Sequence, residues 1–447
     1  MKKLFVSAGL VAIGAAALET AMADNVTSPK YWNVGATLRG FYDDNYNISA
    51  AHQGSVGLEL LPTASFHMPF QQTDIGLRYT YGLYYYQDRN DSGVNPFDQT
   101  HQLDMWIDHA FNARWHGNFN DTFAVGQEPE LLNPNPVVAQ AAPYRVNGDN
   151  ISNHGNFVLN TDWTRLFSTS LSYNNGLYDY DNSGTQVVSD DAGGWTLWTP
   201  GSGTGLSNAS LAGTLDRVEE SAALDLKWHL QPETTAFIGY QFSWVDYTGN
   251  EPIAVVNTFA SPFIYHSADR DSWSQYLYLG VEHDFTANLS ANIRAGGTYT
   301  DTYADPLFAS TALTPYADLS VTYTYIPGSY VQLGFTHDIS ATDQVQPDSS
   351  GKITQYAESS VIYMDVNHRI TSKLVASVIG RVQYSTFDGG LAGSADETDY
   401  GLGLNLDYQI NQHFSVDAGY NYDNVVTQLA GYGYTRNRVY LGLTANY

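Results

Sequence analysis

Carboxylates, histidines and serines are the side chains of this chain that could do chemistry. Glycoside hydrolysis needs a pair of carboxylates that flank the scissile bond, and adjacent acids do occur in the sequence. They are Glu219-Glu220, Asp190-Asp191 and Asp43-Asp44. We place these pairs at strand ends or in loops, where solvated acids are expected. The nucleophile-elbow, zinc-protease, phosphate-loop and calcium-loop spacings are missing from the sequence, so it predicts no catalytic residue.

The 12 histidines offer no metal site by their spacing. Neither His109 and His116 nor His52 and His67 have further ligands close to them in the sequence, and the chain has no cysteine. We therefore expect no metal and no cofactor. A serine hydrolase needs a serine, a histidine and an orienting polar group. A chain rich in serine and histidine brings such groups together by chance, so an enzyme is the least favoured interpretation.

Strands with one apolar face must position all of these side chains. Near the end of the chain, Val439, Leu441 and Leu443 fall on one face, whereas Arg438 and Thr444 fall on the other. Successive side chains of a strand point to opposite faces, and the same alternation recurs in many upstream segments. Two folds fit it. One is a soluble sandwich with the apolar face inside, and the other is a membrane barrel with the apolar face towards lipid and a polar lumen.

Segment length and composition favour the barrel. The alternating segments run for about 10 to 16 residues, which exceeds the usual strand of about 5 to 6 residues and suits a tilted span of a bilayer. Their polar faces are rich in Gly, Thr, Asn and charged residues, as a wet lumen requires. Aromatic residues such as Trp32, Tyr42 and Trp228 stand at segment ends, which is typical of the girdles at the two membrane interfaces.

The pattern predicts an all-β fold: a transmembrane antiparallel up-and-down β-barrel of about 18 strands, with 16 as the alternative. Short turns alternate with long loops along the chain, as in outer-membrane barrels. An even number of strands places both termini on the short-turn, periplasmic side. The predicted strands lie near 31–42, 54–66, 73–86, 101–116, 121–128, 154–163, 168–180, 216–230, 233–248, 272–285, 289–303, 314–326, 329–340, 354–369, 374–387, 397–410, 413–424 and 434–447.

The two ends of the chain carry export features. Two lysines precede an apolar run over residues 4–18, and Ala21-Met22-Ala23 fits the small-x-small cleavage rule. We predict a signal peptide over residues 1–23 and one domain, an outer-membrane barrel, over residues 24–447. Apolar residues at alternate positions before Tyr447 resemble the C-terminal signal that the barrel-assembly machinery reads.

The first predicted strand ends in Tyr42-Asp43-Asp44-Asn45. A strand with this ending soon after a signal peptide resembles type 2 of the putative β-barrel porins. These are outer-membrane barrels of bacterial genomes, some of them encoded beside exopolysaccharide clusters. The resemblance implies a barrel and no catalytic residue. The interpretation we favour is a channel for passive diffusion of small polar solutes, and the alternative is a component of exopolysaccharide export or a structural barrel.

The chain is strongly acidic, with 19 Lys+Arg against 46 Asp+Glu and a formal net charge of −27. Such a chain does not bind nucleic acid non-specifically, because that affinity comes from cations that neutralise phosphates. Acids in loops and at the barrel mouths, such as Asp43, Asp98 and Asp305, predict a mild cation preference. The long loops over residues 129–153 and 181–215 are the candidates for narrowing the pore.

The expected partners follow from this location. They are outer-membrane lipid, lipopolysaccharide, the barrel-assembly machinery and small polar solutes. A homotrimer is common among such channels, although no surface pattern in the sequence demonstrates one.

Strand parity predicts which charged residues line the lumen, if the apolar face meets lipid. Lipid-facing cations cost about 2–4 kcal/mol at the midplane, whereas charges inside the lumen avoid that cost. The predicted pore-lining residues are Arg39, Arg78, Arg114, Lys227, Arg294, Arg381, Arg438, Asp104, Asp108, Asp225, Glu282, Asp365, Asp407 and Asp417. Either cations on one wall oppose acids on the other and set ion selectivity, or the charges form structural pairs.

Four aromatic residues share this inward parity. They are Phe41, Tyr84, Trp106 and Tyr276. An aromatic track of this kind leaves a route for a glycan open.

Overall fold

The structure is a computed structural model that describes residues 31–48, 52–91, 93, 95–126, 150–181, 187–188, 205–206, 211–257, 262–429 and 432–447. The predicted signal peptide lies outside these residues. Short helical turns occur at Gln87–Asp91, Leu211–Leu215, Ser267–Arg270 and Leu391–Ser394. No helix in these ranges is long and apolar enough to span a membrane.

Strands dominate the described residues. In chain order they are β1 (Trp32–Asp43), β2 (Ser55–Pro69), β3 (Thr73–Tyr86), β4 (Phe97–Ala110), β5 (Trp115–Gly126), β6 (Asn150–Asp162), β7 (Phe167–Tyr180), β8 (Val187–Val188), β9 (Gly205–Leu206), β10 (Arg217–Gln231), β11 (Thr234–Asp246), β12 (Pro252–Asn257), β13 (Pro262–His266), β14 (Ser272–Thr286), β15 (Leu289–Asp301), β16 (Thr311–Ile326), β17 (Ser329–Ser340), β18 (Ala357–Arg369), β19 (Leu374–Phe387), β20 (Asp396–Gln409), β21 (Phe414–Thr427) and β22 (Tyr434–Asn446).

A single antiparallel sheet of 18 strands closes on itself. It contains β1–β7, β10, β11 and β14–β22, and the last strand pairs with the first from Gly35↔Asn446 to Asp43↔Arg438. The hairpins β8–β9 and β12–β13 are separate from the wall. Strands spaced by about 4.8 Å and tilted by about 40° make a wall of this strand number on the order of 35 Å across. The predicted antiparallel barrel and its strand number are confirmed.

Burial shows which face of the wall points outward. The apolar strand residues are exposed on the outside: Leu441 is 63% exposed and Leu279 is 66% exposed. Charged residues of the opposite parity are covered, and Asp417 is only 4% exposed. A soluble sandwich would bury the leucines, so the barrel with an apolar exterior and a polar lumen is confirmed.

Short turns and long loops lie at opposite rims of the barrel. Turns such as 287–288 and 327–328 close hairpins at one rim, whereas the connections at the other rim include 44–54 and 341–356. Strand β1 starts at the short-turn rim, because Trp32 pairs with a residue near the end of β2. Strand β22 ends at the same rim, so both ends of the wall meet there.

The wall differs from the prediction between β4 and β5. Strand β4 ends at Ala110 and β5 begins at Trp115, although the sequence predicted a strand over 101–116 and a turn over 117–120. Gly117, Asn118 and Asn120 suggested that turn, yet the two asparagines alternate with Phe119 along a regular strand. The inward face of a barrel accommodates asparagine, so residues that end a strand elsewhere continue one here.

The connections of the long-loop rim pack against one another. Hairpin β12–β13 buries Ile253, Val256 and Tyr265 against Val345 and Ile353 from the connection between β17 and β18. These residues form an apolar core of their own, separate from the wall. The two predicted constricting loops lie almost wholly outside the described residues, so their role stays a prediction.

Arg270 joins three connections of this rim. Its guanidinium donates to the carbonyl of Thr214 at 2.9 Å and to the carbonyl of Thr342 at 2.8 Å. It also lies 4.5 Å from the ring centroid of Tyr247. A buried cation held by carbonyls of different loops fixes those loops relative to one another.

Candidate functional site

The lumen wall around β1 carries a group of paired charges, named here the β1 cluster: Arg39, Arg438, Glu59 and Asp417. Arg39 donates from Nε to Asp417 Oδ2 at 2.6 Å, and its Nη1 lies 3.5 Å from Glu59 Oε1. Arg438 donates to Glu59 Oε2 at 3.0 Å. One carboxylate thus lies between guanidinium groups from the first and the last strand. The four charges balance within the cluster.

Arg436 and Asp43 extend this wall towards the long-loop rim. The guanidinium donates to Asp43 Oδ2 from Nε at 2.9 Å and from Nη2 at 2.7 Å. Asp43 is fully buried, and Asp98 and Asp305 are buried as well. The prediction that these three acids form a solvated negative mouth is therefore wrong. Each accepts hydrogen bonds inside the barrel or its loop layer, which a loop position in the sequence does not reveal.

A second group of charges, named here the β14 cluster, consists of Lys227, Glu282, Asp225, Tyr278 and Arg294. Lys227 Nζ donates to Glu282 Oε1 at 2.9 Å. The Tyr278 hydroxyl donates to Asp225 Oδ1 at 2.7 Å, and Arg294 lies 3.8 Å from the same carboxylate. Each basic group again has an acid as its partner: Lys227 and Glu282 lie two strands apart, and Arg294 and Asp225 lie three strands apart.

The two clusters face each other across the lumen. Strands β1 and β14 are nine positions apart in the closed order of 18 strands, which is half of the circumference. Both walls hold cations and acids in contact. The alternative in which cations occupy one wall and acids the opposite wall is therefore not the arrangement found, because the cations and acids of each cluster pair with one another within three strands.

Aromatic rings of the inward face lie flat on the wall. Phe237 and Tyr278 each face a glycine on the adjacent strand, Gly280 and Gly239 respectively, and a Cβ on either glycine would overlap the ring. The same cross-strand relation holds for further pairs. They are Phe41 and Gly57, Trp106 and Gly76, Tyr363 and Gly334, and Tyr440 and Gly419. Glycine supplies the space into which these rings pack against the wall.

Guanidinium groups cover several of these rings. Arg438 lies 4.4 Å from the ring centroid of Phe41, and Arg294 lies 5.4 Å from that of Phe237. Phe41 and Tyr276 are only 4% exposed. Two of the four predicted aromatic residues are therefore part of the wall and offer no free ring face to a passing glycan.

The other predicted pore-lining acids also have polar partners. Arg78 donates to Asp104 at 3.0 Å, and Asp104 accepts from Thr122 as well. The Tyr330 hydroxyl donates to Asp365 at 2.9 Å. Asp108 contacts His116 at 2.8 Å. Asp407 accepts a hydrogen bond from Ser415 and is directly opposite a second acid, Asp417, in the register of β20 and β21.

Two predicted cations differ from the rest. Arg381 lies on β19 opposite Tyr363 and donates to Gln383, so it contributes to the wall halfway between the clusters. Arg114 does not lie on a strand. It is exposed in the turn 111–114 at the short-turn rim. Its assignment to the lumen is wrong, because the parity was extended through a strand that ends at Ala110.

Glu219 and Glu220, adjacent acids considered for glycoside hydrolysis, point to opposite faces of the wall. Glu219 points inward and accepts from Arg217 at 2.6 Å, whereas Glu220 points outward and accepts from the Tyr173 hydroxyl at 2.8 Å. Asp190-Asp191 lies outside the described residues. Within the ranges that the structure describes, no group of three or more His, Asp or Glu side chains is arranged to hold a metal ion.

Two acids at the long-loop rim have altered ionisation. Burial raises the pKa of Asp216 to about 6 and that of Asp271 to about 6. Each directly precedes a wall strand and accepts a backbone N–H at the end of the preceding wall strand, from Tyr180 of β7 for the first and from Tyr247, just after β11, for the second. These two carboxylates lie at the rim, outside the membrane-spanning strands, and they change charge at mildly acidic pH.

Two inward charged residues that sequence reasoning missed are Glu59 and Arg436. Glu59 stands between Leu58 and Leu60 in an apolar stretch, and the alternation of that stretch does place it inside. Arg436 lies on the inward parity of β22. A strict reading of parity through both strands would have found them.

Comparison with known proteins gives one family match. A family model described as putative beta-barrel porin 2 matches residues 210–447. No curated protein matches the chain.

Among solved structures, OccK1 (OpdK) of Pseudomonas aeruginosa aligns with a TM-score of 0.44 at 9% identity, covering 93% of this chain and 99% of that chain. OccAB4 of Acinetobacter baumannii aligns with a TM-score of 0.42 at 9% identity, over 95% and 100%. A ferric enterobactin receptor (PfeA) mutant of P. aeruginosa aligns with a TM-score of 0.39 at 10% identity, over 95% and 81%.

Proposed function

The chain belongs to the family described as putative beta-barrel porin 2, and from this membership we propose a passive channel for small polar solutes in the outer membrane. The observation that supports the proposal most directly is the closed wall of 18 strands with leucines outside and charges inside. A barrel of about 16 to 18 strands leaves room for an aqueous channel.

The orientation belongs to the same proposal. Outer-membrane barrels have short periplasmic turns and longer extracellular loops. We infer that both ends of the chain are periplasmic, because β1 starts and β22 ends at the short-turn rim. The signal peptide over residues 1–23, contact with lipopolysaccharide, insertion by the barrel-assembly machinery and a homotrimer are further expectations of this proposal.

We propose a mild cation preference for the channel. The inward cations Arg39, Arg438, Lys227 and Arg294 lie beside carboxylates, which cancel most of their field. The chain holds 46 acids and only 19 Lys+Arg, so pairing of every cation still leaves an acidic excess. Excess negative charge along an aqueous path concentrates cations and repels anions.

Planar-bilayer recording of the full-length protein tests this function. We expect ohmic single-channel currents and a reversal potential in a KCl gradient that shows K⁺ preference. The preference should weaken as salt rises, since the Debye length falls from about 10 Å at 0.1 M to about 3 Å at 1 M. A folded barrel that inserts without conductance would contradict the channel, and anion preference at low salt would contradict the charge argument alone.

The export alternative has less support from the wall. A glycan route needs exposed aromatic faces along the lumen, and Phe41 and Tyr276 are covered. Addition of a soluble exopolysaccharide to the same bilayer separates the two. A channel for small solutes shows no block, whereas an export barrel shows interrupted currents as the polymer enters.

A further inference from the structure

The outer face of β17 and β18 carries a serine, a histidine and a glutamate in contact. His337 Nδ1 lies 2.8 Å from Ser360 Oγ, and His337 Nε2 lies 2.9 Å from Glu358 Oε1. With the imidazole proton on Nε2 and directed at the carboxylate, Nδ1 is available to accept the serine proton. A nucleophile within hydrogen-bond reach of a base that a third group orients is the signature of an activated serine.

The register of the two strands explains this contact. His337 is directly opposite Ser360, and Ile339 is directly opposite Glu358. These four residues lie on the same face of the sheet as Ile362, which is exposed on the outside. The triad therefore points away from the lumen. The side chain of His337 is 18% exposed and that of Glu358 is 32% exposed, so the group is accessible from outside the wall.

Ser360, His337 and Glu358 lie at the edge of the apolar band that is nearest to the long-loop rim. Strand β17 ends at Ser340 and β18 begins at Ala357, so the three residues are within a few positions of the long-loop rim. Leu333 and Ile362, further from that rim, are exposed apolar residues. The edge of the apolar band is where the hydrocarbon core meets the polar headgroups. Acyl esters of membrane lipids join these two zones and lie at this depth.

We propose that Ser360, His337 and Glu358 form an esterase site on the outside of the barrel, whose substrate is the acyl ester of a membrane lipid. Ser360 Oγ attacks the ester carbonyl carbon while its proton passes to His337 Nδ1. The ester C–O bond breaks, the alcohol leaves with that proton, and the acyl group stays on Ser360. Water, deprotonated by the same histidine, then attacks the acyl-serine and releases the fatty acid.

Other histidines of the wall differ from His337 in the groups that their ring nitrogens contact. His283, also on the outer face, contacts the Thr234 hydroxyl at 2.9 Å, and His116 contacts Asp108 at 2.8 Å. Cross-strand contacts of histidine with a hydroxyl or a carboxylate are thus a general feature of this wall. His337 makes both kinds of contact at once, with a hydroxyl on one ring nitrogen and a carboxylate on the other. General-base catalysis by an oriented histidine requires this arrangement.

Covalent labelling by a fluorophosphonate tests the nucleophile directly. The full-length folded protein, in vesicles of phosphatidylethanolamine, is treated with the probe and mapped by peptide mass. We expect phosphonylation at Ser360 and release of fatty acid from the vesicles, both absent in Ser360→Ala. His337→Ala should slow labelling by about 100-fold or more, and His283→Ala, the matched control, should label like the unmodified protein.

Glu358 is the positioning residue, and its test separates charge from packing. Glu358→Gln keeps the shape and an acceptor oxygen, so a merely structural role predicts no change. We expect a maximal labelling rate lower by about tenfold or more, with an unchanged half-saturating probe concentration. Equal rates for Glu358→Gln and the unmodified protein would overturn its role in the triad.

Two further outcomes overturn the proposal as a whole. One is a folded, conducting protein that neither reacts with the probe nor releases fatty acid. The other is labelling that persists in Ser360→Ala. Because the triad faces away from the lumen, we expect the single-channel conductance of Ser360→Ala to equal that of the unmodified protein, which keeps this test independent of the channel.

Discussion

The ring of Phe237 on β11 lies over Gly280, its direct cross-strand partner on β14, so closely that a Cβ on the glycine would overlap it. The lumen-facing surface of the barrel thus depends on a residue that has no side chain. The ring also lies beside Arg294 of the β14 cluster, so its position affects a charged group as well.

Replacement of that glycine should narrow the channel. Gly280→Val forces the Phe237 ring off the wall and into the lumen, with an overpacking cost of about 1–3 kcal/mol. We expect lower single-channel conductance at a modest loss of stability. Gly297→Val is the matched control, because its nearest atoms are 3.7 and 3.8 Å from the added Cβ and it points outward. Equal conductance of the two variants would show that the ring does not move into the path.

The two faces of β20 should respond differently to the same new charge. Leu404 is exposed on the outside, and Leu404→Arg places a cation against lipid at a cost of about 2–4 kcal/mol near the midplane. Asn405 points inward and accepts from the Tyr440 hydroxyl at 3.2 Å, so Asn405→Arg should assemble and change conductance. The measurement is the yield of folded barrel, read as heat-modifiable mobility. Similar yields for both would contradict the assignment of faces.

The shared carboxylate of the β1 cluster should control both selectivity and stability. Glu59→Gln leaves Arg39 and Arg438 without the charge between them, and loss of one partner of a buried pair costs up to about 3–5 kcal/mol. We expect a lower unfolding temperature and a reversal potential shifted towards anions. Asp284→Asn removes the same charge at an exposed position. A comparable shift in that control would attribute the effect to net charge alone.

The two acids with raised pKa predict a pH dependence of the long-loop rim. Because the folded state holds the protons of Asp216 and Asp271 more tightly than the unfolded state, stability gained from protonation is full below about pH 4 and lost as pH rises through about 6. Protease resistance of the rim should therefore fall between these pH values. Asp216→Asn with Asp271→Asn should abolish the dependence, and a dependence that survives in the double variant would assign it to other groups.

The alternation of apolar and polar residues predicted most of the wall strands, for a physical reason. A bilayer demands a long apolar face on every strand, so the alternation in segments such as β20 to β22 is nearly free of exceptions. Arg114 was misplaced because turns of a barrel have no apolar face and leave no periodic signal. The partners of the charged residues could not be predicted from the sequence either. Arg39 and Asp417, for example, are 378 positions apart and meet only because the barrel closes.

The same limit applies to the triad. The contact of Ser360 with His337 depends on the register of two strands, and alternation constrains parity but not register. Chance combinations of serine and histidine could not be ranked from sequence alone. The structure separates them by showing which hydroxyl, imidazole and carboxylate touch.

The pairing of β1 with β22, which closes the barrel, has a consequence for how the barrel assembles. Residues 393 positions apart, Asp43 and Arg436, are joined there, so their contact must await the arrival of the final hairpin. Until then both outer strands present unpaired backbone groups, and Arg436 and Arg438 of β22 lack their contacts with Asp43 and Glu59. Long-range contacts of this kind are late and slow to form. Biogenesis of this barrel therefore ends in one concerted event that seals the hydrogen-bonded ring and neutralises its charged wall together.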